Sequence, residues 1–266
     1  MIKSIKFDAA LLEIPQIGLK TKVNFIAKKY ISLITNILFK KKSKHPNLTK
    51  LFGDNYRYAD PLGVAFLQSV FVDNSFLANY CPSPSVVVDI GANIGQFNFF
   101  CKNFLHASSV LSFEPIEESF KILSLNTKGK DIFPFAILSS STTNLYIPND
   151  INYMASAFKL SDSFRVEKVS GKKLDKIDKI KNLSKIDLLK IDTEGTELDV
   201  LKTCPKTLKK TKYVLIECSL DRPNSGDITD VCEFLYHANK FKIVHIGRSY
   251  LTKSGSIGAI DILFSS

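Results

Sequence analysis

Apolar residues follow two rhythms along this chain, and each predicts a different kind of element. Across residues 20–42, Val23, Ile26, Tyr30, Ile34, Ile37 and Leu38 recur at about helical spacing with lysines between them, which predicts an amphipathic helix with a basic face. Farther along, short, mostly apolar runs take over. Residues 86–88 read as a strand buried on both faces, and residues 110–113, 132–138, 188–191 and 213–217 as further, mostly apolar strands. Residues 117–126 and 228–239 carry the helical period instead. Residues 242–246 and 259–264 close around Ser254 and Gly255 as a terminal hairpin with one antiparallel member. Strands alternating with helices predict an α/β fold: a doubly wound sheet of seven strands, mostly parallel, with an antiparallel terminal hairpin.

The remaining stretches are less regular. Residues 40–46 form a charged linker that ends in proline. Residues 51–81 hold Phe52, Tyr56, Tyr58, Phe66, Phe71, Phe76 and Tyr80 among breakers at Gly53, Pro61 and Gly63. They predict turns followed by a helix from about residue 62 to 80, whose aromatics serve either as core or as a cap over an acceptor pocket. Residues 1–80 are thus expected to form a helical N-terminal extension and residues 81–266 the main domain. An irregular insertion at residues 140–183 contains two short strands, near 145–147 and 164–169. It falls on the side of the sheet where long loops tend to be functional, so Asn152, Tyr153, Met154 and Ser156 are candidate acceptor contacts, with a surface hairpin as the alternative.

Chemistry concentrates at three strand ends. After the Val86–Val88 run comes D-x-G-x-N-x-G, formed by Asp89, Gly91, Asn93 and Gly95 with Ala92 between them. A strand, a glycine turn and a helix present backbone N–H groups to a polar ligand without a side chain in the way. The spacing fails the G-x-G-x-x-G of dinucleotide folds, because Asn93 and Gln96 stand where the second and third glycines belong. The second strand ends in Glu114 and Pro115, one βαβ unit after Asp89, where an acidic residue can accept both hydroxyl hydrogens of a ribose. The third strand ends near Ala136, where small side chains suit a purine. In residues 186–201, Asp192 and Glu194 sit on the turn that follows the fourth strand, at the crevice of an open α/β sheet. Thr196 and Asp199 have capping-box spacing, and Glu197 reads as a complement to the helix dipole.

The net charge of +10 comes almost wholly from lysine, with Arg57, Arg165, Arg222 and Arg248 as the only arginines. So few guanidinium groups weaken a sequence-specific nucleic-acid reading, and a solvated lysine surface is the plainer account. Five scattered cysteines without a C-x-x-C pair predict reduced thiols, and with them a cytoplasmic protein lacking a zinc framework. No secretory signal is expected, since Lys3, Lys6 and Asp8 interrupt the start. The helix at residues 20–42 has two competing uses. It packs its stripe on the domain or on a second subunit, the preferred reading, or it makes a peripheral contact with an anionic membrane.

With these pieces in place, the chain resembles the FkbM-type methyltransferases, which are class I, Rossmann-like enzymes dependent on S-adenosylmethionine. The resemblance rests on VVVDIGANIGQF at residues 86–97, FEP at 113–115, Leu174-Asp175, LLKIDTEGTEL at 188–198 and LIE at 215–217. Thr193 stands where an apolar residue is commoner. The resemblance implies that Asp89, Gly91, Ala92, Asn93 and Gly95 hold the methionine end of S-adenosylmethionine, Glu114 and Pro115 the ribose, and Ala136 the adenine. It implies methyl transfer to a hydroxyl of a small molecule or glycan. Such a hydroxyl needs a base within reach, for which Asp192 is the first candidate and Glu194 the second. Binding of the cofactor's amino group by Asp192 is the alternative. No metal site is expected. A nucleic-acid methyltransferase and a non-catalytic S-adenosylmethionine-binding scaffold are the competing functions.

Overall fold

A computed structural model of the chain describes residues 2–39, 46–59, 62–148, 163–220, 228–238, 240–252 and 254–266. Two strands, β1 (Asn47–Leu51) and β2 (Asp54–Tyr58), form an antiparallel hairpin. Seven strands form the central sheet: β3 (Val86–Ile90), β4 (Ser109–Phe113), β5 (Ile132–Phe133), β9 (Ile186–Ile191), β10 (Thr211–Ser219), β11 (Lys242–Leu251) and β12 (Ile257–Ser265). The intervening β6 (Ala136–Ile137), β7 (Thr142–Pro148) and β8 (Phe164–Lys172) make a small sheet beside it.

The central order is β11-β12-β10-β9-β3-β4-β5. Neighbours from β10 to β5 are parallel, while β12 runs antiparallel between β10 and β11. This is the doubly wound, Rossmann-like sheet with a terminal antiparallel hairpin that the apolar runs predict. The chain winds outward through β3, β4 and β5, then returns to lay β9 on the other side of β3. That reversal opens a crevice at the carboxyl ends of β3 and β9, the place where such sheets bind ligands.

Alternation along the strands divides the interior. Val87, Leu188, Leu215 and Leu263 face one layer, and Val88, Leu189, Ile216 and Ile262 the other. The first layer is shared with the N-terminal segment. Leu11, Phe25, Leu51, Tyr56 and Phe71 are fully buried in the same cluster as Phe100 of the helix Gln96–Asn103. The aromatic stretch is therefore largely core: Phe52 stacks on Phe71 with ring centres 4.8 Å apart, and Tyr56 meets Phe99 edge-on at 5.2 Å.

Four local expectations change. The extension is not purely helical, since β1 and β2 turn through Phe52 and Gly53, both at positive φ, as a two-residue hairpin requires. A helix at Ile2–Glu13 was not read from the sequence. The expected helix at residues 62–80 is two, Gly63–Asn74 and Leu77–Tyr80, and the Ser75 hydroxyl bonds Val72 O at the break. The expected third strand splits into β5 and β6 around Pro134, which has no N–H to give a ladder.

The helix Leu19–Phe39 is also turned differently from the packed stripe preferred above. Its inward face carries Phe25, Lys22, Lys29 and Ser32, whereas Val23 and Ile34 are exposed. The cause is a buried polar network. Lys29 Nζ donates to Asp8, Tyr30 OH donates to Asp8 Oδ2 at 2.8 Å, and Gln68 Nε2 donates to Asp8 Oδ1 at 2.9 Å. Sequence-predicted positions 40–45, 152–154 and 156 lie outside the described residues.

Candidate active site

At the crevice, three strand ends are tied together through their backbones. Gly91 N and Ala92 N both donate to Phe113 O, at 3.1 and 3.0 Å, and Asp192 N donates to Ile90 O at 3.0 Å. The last bond draws the β9 turn so close to the glycine loop that a Cβ on Gly91, at φ +81°, would lie 1.7 Å from Asp192 O. Only glycine fits there.

Glu114 at the end of β4 is buried, and its two oxygens are split between the loop and the following turn. Oε2 accepts the Asn93 N–H at 2.8 Å and Oε1 the Ile116 N–H at 2.8 Å. Each carboxylate oxygen keeps a second lone pair for a ligand hydroxyl. Burial raises the Glu114 carboxyl to about 7, against the opposing pull of those two N–H groups. Beside it, Phe135, Ala136, Ile137 and Leu138 form an apolar wall.

Lys190 and Glu197 organise the next turn. Lys190 Nζ donates to Asp192 Oδ2 at 2.9 Å and lies 3.6 Å from Asp89 Oδ1, over the Phe97 ring. Asp89 is fully buried with neither oxygen in a hydrogen bond. Burial raises it to about 6, partly offset by the Lys190 ammonium. Glu197 opens the helix Glu197–Lys202 and is 2% exposed, and its Oε1 accepts Thr193 N, Thr193 Oγ1 and Gly195 N at 3.1, 3.1 and 2.9 Å. Thr193 therefore earns its place by a bond that an apolar residue could not make. The capping box does not form, because Asp199 Oδ2 instead accepts Ser139 N at 2.9 Å. Asp175 caps the helix Pro205–Leu208 by accepting the N–H groups of Lys206 and Thr207, both at 2.8 Å.

The far side of the crevice is acidic. Glu217 of β10, Asp261 of β12 and Tyr250 of β11 reach the same cavity as Asp192 and Glu194, under Phe66, Val70 and Asp73 of the helix Gly63–Asn74. The cavity measures about 260 Å³. Burial and the neighbouring Asp192 carboxylate raise Asp261 to about 7. Burial and the charges of Asp192 and Glu194 likewise push Glu217 well above the usual carboxylate range. Asp73 is tied to Arg248 Nη1 at 2.6 Å. Ligand atoms of Asp192, Glu194 and Glu217 lie within 4.8 Å of one another, a set that could also hold a cation.

Eight of the ten sequence-predicted site residues line this cavity: Gly91, Ala92, Asn93, Glu114, Pro115, Ala136, Asp192 and Glu194. Asp89 and Gly95 stand behind it. Asp89 faces Lys190, and Gly95 at φ +93° precedes the helix Gln96–Asn103, where an added Cβ would press on Leu123 at 2.9 Å. Sequence reasoning passed over Lys190, Asp261, Tyr250 and Asp73. The signal for Lys190 and Asp261 was an ionisable residue inside an otherwise apolar strand.

A family model for the methyltransferase FkbM domain matches residues 89–243, more than half of the chain, including the ends of β3, β4 and β9. The chain belongs to the FkbM methyltransferase family. Among its curated relatives is Methyltransferase 1 of Beauveria bassiana, 29% identical over a 174-residue alignment that covers 54% of this chain and 70% of that protein. Another is the hexuronic acid methyltransferase AglP of Haloferax volcanii, 27% identical over 137 residues, 50% of this chain and 55% of that one. The structure of an FkbM methyltransferase from Methylobacillus flagellatus aligns at 17% identity and a TM-score of 0.45, covering 69% of this chain and 44% of that one.

Proposed function

We propose that this FkbM family member transfers the methyl group of S-adenosylmethionine to a hydroxyl oxygen of a small molecule or glycan. The observation that carries the reading is the buried Glu114 carboxylate facing the cavity at the end of β4, bonded to the glycine loop and set beside the apolar wall at Ala136. That set fits a nucleoside. Loop N–H groups from Gly91 to Asn93 would receive the methionine end, Glu114 the ribose hydroxyls, and the Phe135–Leu138 wall the purine. Asp89 supports the same end indirectly, through Lys190.

S-adenosylmethionine, when bound, supplies a methyl carbon already activated by its positively charged sulfur. What remains for the protein is alignment and proton removal. The carboxylates of Asp192 and Glu194 suit a cationic sulfur, and the scarcity of arginine favours a small molecule or glycan over a nucleic acid. Asp192 takes the acceptor proton. Its Oδ2 is engaged by Lys190, so Oδ1 is the free oxygen. Glu194 is the second candidate, and Lys190 holds the carboxylate in place. The hexuronic acid methyltransferase among the relatives supports the glycan side of the reading.

Transfer of labelled methyl from S-adenosylmethionine into glycan and lipid-linked extracts tests this. We expect a labelled product with wild type and a loss of about 100-fold or more in kcat with Asp192→Asn, cofactor affinity being retained. Full turnover by Asp192→Asn would move the base elsewhere.

A further inference from the structure

The chain's charge is unevenly placed. Residues 1–50 hold eleven lysines against Asp8 and Glu13, a net of +9 in a protein whose whole charge is +10. The other 216 residues, catalytic crevice included, are close to neutral. Such asymmetry points to a polyanionic partner for the N-terminal segment.

The helix Leu19–Phe39 says which kind. With its inward face fixed by Phe25 and the Lys29–Asp8 network, it leaves Leu19, Val23, Ile31 and Ile34 exposed by 69, 56, 56 and 53%. At 100° per residue these four fall within about a third of the helix circumference, in line with exposed Ala27. Lys20 lies within the same arc and Lys28 beside it, and the helix contains no acidic residue. Ile5 and Leu12, seven residues apart in the preceding helix, are exposed as well. Among the described residues no helix is long and apolar enough to cross a membrane.

We propose that this row, with Lys20 and Lys28, docks the protein on an anionic lipid bilayer, with the helix lying in the surface plane. An exposed apolar stripe with lysines among and beside it matches such an interface, where aliphatic side chains enter the acyl boundary and lysines meet the headgroups. A nucleic acid would use the lysines and leave Leu19, Val23, Ile31 and Ile34 in water. A second copy would set one lysine-rich face against another.

Co-sedimentation of the full chain with phosphatidylcholine vesicles, with and without phosphatidylglycerol, tests the proposal. Binding to the anionic vesicles should be about tenfold tighter or more and should weaken as salt is raised. Val23→Glu with Ile31→Glu should cut it about tenfold, and so should Lys20→Glu with Lys28→Glu, while melting temperature and S-adenosylmethionine affinity stay at wild-type values. Wild-type protein left in the supernatant with anionic vesicles at low salt would overturn the proposal. So would a dimer in light scattering that Val23→Glu with Ile31→Glu dissolves, since the row would then belong to a second copy.

Discussion

Gly91 shows how a single position can join two halves of a site. Its hydrogen fills the gap left by the Asp192 carbonyl, so Gly91→Ala must push apart the glycine loop and the turn that carries the proposed base. We expect a loss of about 2–4 kcal/mol of stability in urea unfolding, together with loss of cofactor affinity. The motif spacing revealed that Gly91 mattered, but not that another strand's backbone was the reason. Glu114 gives a second test. Its carboxyl titrates near 4.5 when exposed and near 7 in the fold, so the folded protein holds that proton more tightly. Its contribution to stability is present below about pH 4.5 and is lost as pH rises through about 7. Asp89, at about 6, and Asp261, at about 7, act in the same direction. The melting temperature of the ligand-free protein should fall across this window, and Glu114→Gln should flatten the fall. The partners of Lys190, Asp89 and Asp192, were illegible because strand periodicity marks a residue's face and not what it meets.

Elements were legible wherever the apolar pattern had one cause. Strands β3, β4, β9 and β10 follow from short stretches dominated by apolar residues, because parallel strands covered on both faces admit few others. The β1–β2 hairpin escaped because Thr49, Tyr56 and Tyr58 alternate with polar residues over only five positions per strand. The helix Leu19–Phe39 was placed but turned wrongly. Periodicity counts Lys29 as polar and therefore outward, while in the fold Asp8 from the preceding helix satisfies it in the interior. Asp8→Ala should leave that lysine buried without its anion and lower stability by about 2–4 kcal/mol in denaturant titrations. A smaller effect than that of an exposed pair, such as Lys181 with Asp178, would contradict the placement.

At the scale of the whole molecule, residues before 81 share the core of the sheet, since Phe71 and Phe100 meet edge-on at 5.2 Å and Phe66 and Asp73 also line the cavity at the crevice. The doubly wound order with its reversal beside β3 brings Glu114, the glycine loop and the acidic turn into one cavity from positions far apart in sequence. Calorimetric titration of wild type and Glu114→Ala with S-adenosylmethionine and its demethylated product tests that convergence most directly. We predict saturable one-to-one binding of both ligands by wild type and an affinity at least about tenfold weaker for the variant, equivalent to losing about 1.4 kcal/mol. No binding by wild type, or an unchanged affinity in Glu114→Ala, would contradict it.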